Sequence, residues 1–229
     1  MMRIRPRTSL CSRTPAGQKT NRQTHRHETT ASALTWACYL LTRRPEIQQK
    51  ISEEIKNALP ASDVESMPAE ELASTLEQLP YLNGVMHETL RLYPTVPLTM
   101  RQAIRDTQIG GQFIPKGTDL VVPIWYINRA PEIWGPDASQ FRPERWIAEN
   151  GKPNTNGGAS SNYDFMTFLH GPRSCIGQGF AKAEMRCLIA AMVRSFEWEL
   201  AMDEKEVLPR GVITIRPENG MYLKLKPRK

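Results

Sequence analysis

One cysteine in this chain stands among residues that equip a sulfur to hold a metal. Residues 168–177 read Phe-Leu-His-Gly-Pro-Arg-Ser-Cys-Ile-Gly. A thiolate ligand must be kept anionic, oriented and dry. Helical periodicity begins just after Cys175, so the positive N-terminal end of that helix is aimed at the sulfur. Gly171 and Gly177 permit tight turns and the close approach of a flat cofactor. Arg173 sets a fixed cation beside the sulfur, suited to a carboxylate on the cofactor's edge, and Phe168 is placed to shield the sulfur from water. An isolated cysteine in such a turn would read as a buried structural residue. Here Phe168, Gly171, Arg173, Cys175 and Gly177 together make a pattern with a mechanism, and favour the ligand.

A second constellation is charged. Glu88 and Arg91 are three residues apart on a helix predicted over 80–93, and so share a face. By itself this is a surface ion pair of little worth. Downstream, residues 141–146 read Phe-Arg-Pro-Glu-Arg-Trp and supply a further cation at Arg145.

These segments, in this order, resemble the cytochrome P450 superfamily. The cysteine loop, with its continuation Gly179-Phe180-Ala181 and Glu184, is similar to the haem-binding loop of that family. Glu88, Arg91 and Arg145 are similar to its structural triad, which buries the paired charges and locks the cysteine loop in place. The resemblance covers about residues 27–229. It implies a mainly α fold with small antiparallel β-sheets, the C-terminal part of the cytochrome P450 fold. The implied cofactor is haem b, its iron taking an axial thiolate from Cys175. Arg101, with Arg173, would hold the haem carboxylates. Thr95, Val96 and Leu98, with Val212, would line an apolar substrate pocket. His27-Glu28-Thr29-Thr30 resembles the oxygen-side helix, where Glu28 and Thr29 would be the acid and alcohol that relay protons.

The implied reaction is insertion of one oxygen atom from O2 into an apolar organic small molecule. Electrons would come from an NADPH-dependent flavoprotein reductase or a ferredoxin-type donor. Two other readings stand beside it: a truncated, catalytically inactive fragment, and an O2-independent haem-thiolate isomerase or dehydratase. Full-length eukaryotic members sit at the endoplasmic reticulum membrane, and membrane association is expected of them. No apolar run in this chain approaches the roughly 20 residues that a membrane-spanning helix needs.

The chain departs from the family at its start. The small residues that precede the acid–alcohol pair in the family fall here on His25 and Arg26. Residues 1–26 read as an atypical basic segment, disordered or the product of a misjoined coding sequence. Charge supports a boundary there. The net charge is +6, yet residues 1–27 carry seven of the 30 Lys and Arg and no acid, leaving 23 bases against 24 acids beyond them. The high pI therefore does not mark a nucleic-acid partner, since no basic stripe with aromatics follows. Cys11, Cys38, Cys175 and Cys187 form neither a zinc nor a disulfide spacing.

The positioning elements follow from periodicity. Leu34, Ala37, Cys38 and Leu41 recur at helical spacing, and Ile47, Ile51, Ile55 and Leu59 make an i, i+4 stripe. A short helix is predicted over 69–78, a hairpin over 107–114 and a strand over 120–122. A proline-rich meander spans 131–143, and a Gly, Ser and Asn loop spans 150–161. An amphipathic helix over 178–196 would turn Phe180, Ala183, Leu188, Ile189, Met192 and Phe196 inward, with Lys182 and Arg186 available to dock an electron donor. Residues 212–215 and 221–225 read as a terminal hairpin.

Overall fold

Prolines open two of the core helices. Pro45 and Pro80 occupy the first turns of α2 (Pro45–Ala58) and α4 (Pro80–Leu92), where a missing N–H leaves no bond unmade. The structure, a computed structural model, describes residues 2–4, 28–60, 66–154, 156–211 and 213–228. α1 (Glu28–Thr42) comes first, α3 (Ala69–Gln78) lies between α2 and α4, and the short α5 (Ile124–Ile127) and α6 (Pro131–Trp134) precede the long α7 (Gln178–Ser195). The fold is mainly α, with small antiparallel sheets. Among the described residues no helix is long and apolar enough to cross a membrane.

The core forms where α1, α2, α4 and α7 pack together. α2 contributes its stripe of Ile47, Ile51 and Ile55, all buried, with Leu59 just beyond its end. A 14-residue helix is marginal on its own in water, so this packing is what holds it. Fully burying such a side chain is worth roughly 1.5–3 kcal/mol. α1 adds Trp36, which stacks on Tyr93 with ring centroids 4.2 Å apart.

α7 differs from its predicted orientation. Its buried residues are Met185, Ile189, Ala190 and Val193, whereas Phe180 is 68% and Leu188 39% exposed. At 100° per residue, Phe180 lies about 140° around the helix from Met185, on the opposite face. The strands also regroup. β2 (Thr99–Gln102) pairs with β5 (Asp119–Val122), and β3 (Thr107–Ile109) with β4 (Gln112–Ile114), as the hairpin reading requires. The expected terminal hairpin does not form. β7 (Pro209–Arg210) pairs with β8 (Arg216–Pro217), and β9 (Met221–Pro227) pairs with β6 (Phe196–Leu200), the strand that leaves α7. Alternation in 221–225 is satisfied by either partner, and burial of Met221 and Leu223 against the helical core selects β6. Met2–Ile4, expected to lack structure, form β1 against β9; the rest of the basic segment, with His25 and Arg26, lies outside the described residues.

α4 is buried from Leu82 through Leu92. One side is apolar. The other carries Glu88 and Arg91, both 0% exposed, beside Arg145 at 8%. The Glu88 carboxylate is saturated. Its Oε1 accepts from Arg91 Nη2 at 2.8 Å, from the Arg142 amide at 3.0 Å and from Arg145 Nε at 3.3 Å. Its Oε2 accepts from Arg91 Nε at 2.8 Å and from the Trp146 indole N–H at 2.9 Å. Arg91 Nη1 donates to the Asn128 and Ala138 carbonyls at 2.8 and 2.7 Å. Arg145 Nη2 pairs with Asp137 at 2.6 Å, and that hydrogen bond holds the Asp137 carboxyl below its ordinary range. The turn at Pro143–Trp146 comes so close to α4 that a methyl group on Gly84 would stand 2.6 Å from the Pro143 oxygen. The meander is thus pinned to α4 by charge and by contact.

His87, next to Glu88, stacks on Trp146 with centroids 4.8 Å apart, and its Nδ1 faces the Asn83 carbonyl at 3.0 Å. Burial drives its pKa down to about 3, helped by Lys182 and Arg186. The ring is therefore neutral, and its Nδ1–H donates to that carbonyl.

Two outcomes follow. Glu88→Gln leaves two buried guanidiniums short of a carboxylate and lowers stability by about 3–5 kcal/mol in urea unfolding, the usual cost of breaking a buried pair. A wild-type midpoint in that variant would refute the pairing. From about pH 6.5 down towards 3 the unfolded chain binds a proton at His87 that the folded chain refuses. Stability therefore falls as pH falls, by at most about 1.4 kcal/mol per pH unit from this group. Unfolding midpoints measured across that window should show this limb, and His87→Gln should flatten it.

Candidate haem-thiolate site

Two left-handed residues bend the cysteine loop. Leu169 has φ 58° and Gly171 φ 69°; the first is unusual for a side chain of that size, the second is the conformation glycine supplies. A single tight turn, Gly171–Arg173, follows and is closed by the Ser174 N–H on the Gly171 carbonyl at 3.0 Å. The Cys175 N–H then donates to the Phe168 carbonyl at 2.8 Å, which shuts the loop at its base. Gly177 caps the N-terminus of α7. Cys175 thus stands at the positive end of that helix with its side chain exposed.

Phe168 packs against the core, and Lys182 lies over its ring, 5.6 Å from the centroid. Arg173 is exposed and unpaired among the described residues. Ile176 and Phe180, flanking the turn into α7, are also exposed. A methyl group added at Gly177 would stand 3.9 Å from Cys175 Sγ. Glycine here leaves open a space beside the sulfur that any side chain would begin to fill.

These features fit a haem. A lone sulfur suits a metal whose in-plane ligands come from a macrocycle, and no cluster of three or more His, Cys, Asp or Glu able to hold a bare ion occurs among the described residues. The open thiol, the space at Gly177, the uncovered apolar side chains and the free Arg173 guanidinium suit a flat apolar group with an anionic edge. Cys38 makes the contrast. It is buried in α1, 3.8 Å from Met192 Sδ, and burial pushes its thiol up to about 12, so it stays protonated. Cys187 is exposed on α7.

The residues expected on the oxygen side begin α1. Glu28 Oε1 accepts from Thr214 Oγ1 at 3.3 Å and pairs with Arg216 at 3.6 Å. The Thr29 carbonyl accepts from Thr95 Oγ1 at 3.3 Å. Ile215 ties the group together: its N–H donates to the Thr95 carbonyl at 2.8 Å, and its carbonyl accepts from Ser32 Oγ and from Trp36 Nε1 at 3.2 Å. The start of α1, the stretch 95–98 and the segment 213–216 therefore meet. Thr214 and Arg216 escaped the sequence reading, since nothing local links them to Glu28. Val96 is half-buried and Leu98 is 44% exposed. Val212 lies outside the described residues. Arg101, on β2, is exposed, and its Nη1 donates to Thr99 Oγ1 at 2.9 Å and to the Met100 carbonyl at 2.7 Å.

The cations of α7 make contacts within the chain. Arg186 bonds Asn83 Oδ1 at 2.8 Å and Glu77 at 3.0 Å, and Lys182 rests over Phe168. Both side chains are engaged with the protein's own surface, α7 being packed on α3 and α4 at this point.

Gly171→Ala should cost about 1–2 kcal/mol, because a left-handed alanine is strained by that amount while nothing within 4 Å crowds the new methyl group. Equilibrium unfolding measures it, and an unchanged midpoint would contradict the loop's backbone geometry.

Comparison with known proteins completes the picture. The family model for cytochrome P450 matches residues 26–224. Cytochrome P450 monooxygenase sphH of Aspergillus fumigatus is 49% identical over 201 residues, a match spanning 88% of this chain and 36% of that protein. Cytochrome P450 monooxygenase ptmK of Penicillium ochrochloron is 43% identical over 201 residues, 87% of this chain and 39% of the relative. Cytochrome P450 monooxygenase buaD of Petromyces alliaceus is 40% identical over 205 residues, 86% and 37%. The chain thus spans well under half the length of these curated relatives. An open cysteine at the start of α7, a buried Glu88–Arg91–Arg145 triad and a family match over most of the sequence lead to one conclusion: this chain belongs to the cytochrome P450 family.

Proposed function

We propose that this chain carries the haem-thiolate half of a monooxygenase that inserts one oxygen atom from O2 into an apolar organic substrate. The observation that carries the reading is the open Cys175 thiol, held at the N-terminus of α7 by the loop bond from its own N–H to Phe168. Haem, when bound, supplies the activation of O2, one oxygen atom entering the substrate and the other leaving as water. Electrons come from an NADPH-dependent flavoprotein reductase or a ferredoxin-type donor.

The chain's own residues then have distinct tasks. Cys175 is the thiolate ligand, presented at the N-terminal end of α7. Phe168 keeps water from the sulfur. Arg173 and Arg101 are the cations for the haem carboxylates; Arg101 would exchange its present contacts with Thr99 and Met100 for that task. Thr29 holds and passes protons by its hydroxyl, and Glu28 supplies them. Glu28 is oriented for that task by its contacts with Thr214 and Arg216. Thr95, Val96 and Leu98, with Val212, form the apolar wall against which a substrate lies.

The test is optical. The purified 229-residue chain, supplied with haem, reduced and exposed to carbon monoxide, should give the red-shifted Soret band of thiolate ligation, and Cys175→Ser should abolish it. A wild-type chain without that band would overturn the reading. Turnover that requires both NADPH and O2 separates oxygen insertion from isomerisation or dehydration, which need neither.

A further inference from the structure

The loop that presents Cys175 closes on the three residues 166–168. The Phe168 carbonyl receives the Cys175 N–H, and the Met166 carbonyl receives the Leu169 N–H at 3.0 Å. What holds this base is an asparagine 38 residues upstream of Met166. Asn128 caps the end of α5 and is 0% exposed. Its N–H donates to the Ile124 carbonyl at 3.0 Å, and its carbonyl accepts Arg91 Nη1 at 2.8 Å. Its side chain reaches the other way: Oδ1 accepts the Met166 N–H at 3.0 Å, and Nδ2 donates to Thr167 Oγ1 at 2.8 Å.

The protons in this chain of bonds have one arrangement. A backbone N–H can only donate, so the atom facing Met166 is the amide oxygen and the atom facing Thr167 is the amide nitrogen. The Thr167 hydroxyl, having accepted from Asn128, is free to donate, and it does so to the Leu90 carbonyl at 2.8 Å. That carbonyl needs a donor. Its helical partner four residues on would be Pro94, which has no N–H, and the Tyr93 N–H is already given to Thr89 at 2.8 Å. Thr167 therefore completes the end of α4 as it anchors the loop.

We propose that Asn128 and Thr167 are positioning residues for the haem thiolate: they couple the buried Glu88–Arg91 pair to the base of the Cys175 loop and set where the sulfur stands. This rests on Cys175 being the ligand, but its structural part does not need haem to be tested. Neither residue touches the cysteine, and the coupling runs through Met166, Thr167 and the Phe168 carbonyl.

Amide hydrogen exchange on the full chain without haem tests it. Thr167→Val removes the hydroxyl at nearly constant shape, and Asn128→Leu removes both side-chain bonds. Each should raise exchange across 166–176 by about tenfold, the change expected when a net hydrogen bond is lost, while the amides of α2 keep their wild-type rates. Thr167→Ser, which retains the hydroxyl, should restore wild-type exchange. In haem-loaded protein, Thr167→Val should lower the share of carbon-monoxide complex with the red-shifted Soret band, and Thr167→Ser should recover it. Unchanged loop exchange, or a rise of equal size in α2, would overturn the proposal, the latter by showing that these residues only hold the fold. Failure of the wild-type chain to take up haem would count against the monooxygenase reading and leave the exchange result to stand by itself.

Discussion

A carboxylate buried beyond the reach of water is the constraint on which the rest of this structure depends. Glu88 is 0% exposed. Taking a charge so far from solvent costs several kcal/mol, and the cost is offset only when every lone pair is met in good geometry. Meeting it draws in Arg91 from the same helix, and the Arg142 amide, Arg145 and the Trp146 indole from the meander. Arg91 and Arg145 in turn take carbonyls of Asn128, Ala138, Trp134 and Asp137. A segment with only short helical turns is thereby pinned to α4.

The consequences differ across the molecule. Where the chain is saturated, as around Glu88, polar groups are buried and paired. Where it carries the cysteine, the loop is shut by few bonds, and residues 171–176 face outward while Phe168 packs inward. The two cysteines with described roles show how location sets chemistry. Cys38, in the core, holds its proton to a pKa of about 12, whereas Cys175 sits exposed at a helix N-terminus.

Much of the architecture was legible along the chain. The stripe of Ile47, Ile51 and Ile55 located α2, Pro80 located the start of α4, and Gly110-Gly111 located the β3–β4 turn, because each signal is local and works at its own position. Phe180 was misplaced because periodicity gives an angular distribution and not a zero: nothing in residues 178–195 states which stripe meets α1 and α2. The strand at 221–227 was given the wrong partner for a related reason. Alternation specifies a face, while the partner is chosen by the burial of Met221 and Leu223.

By itself, the sequence determined the family, and it singled out the cysteine proposed as the haem ligand and the charged residues that pair around Glu88, since those rest on short patterns whose spacing has a physical meaning. Only the tertiary structure decided how the parts are joined. Glu28 meets Arg216 across 188 residues of chain, and Asn128 reaches Met166 and Thr167 to hold the loop. A hydrogen bond between distant segments leaves no periodic trace, because one buried asparagine or one threonine hydroxyl is as compatible with a solvated loop as with a core. Their partners are set by how the helices pack, and packing is a property of the whole chain.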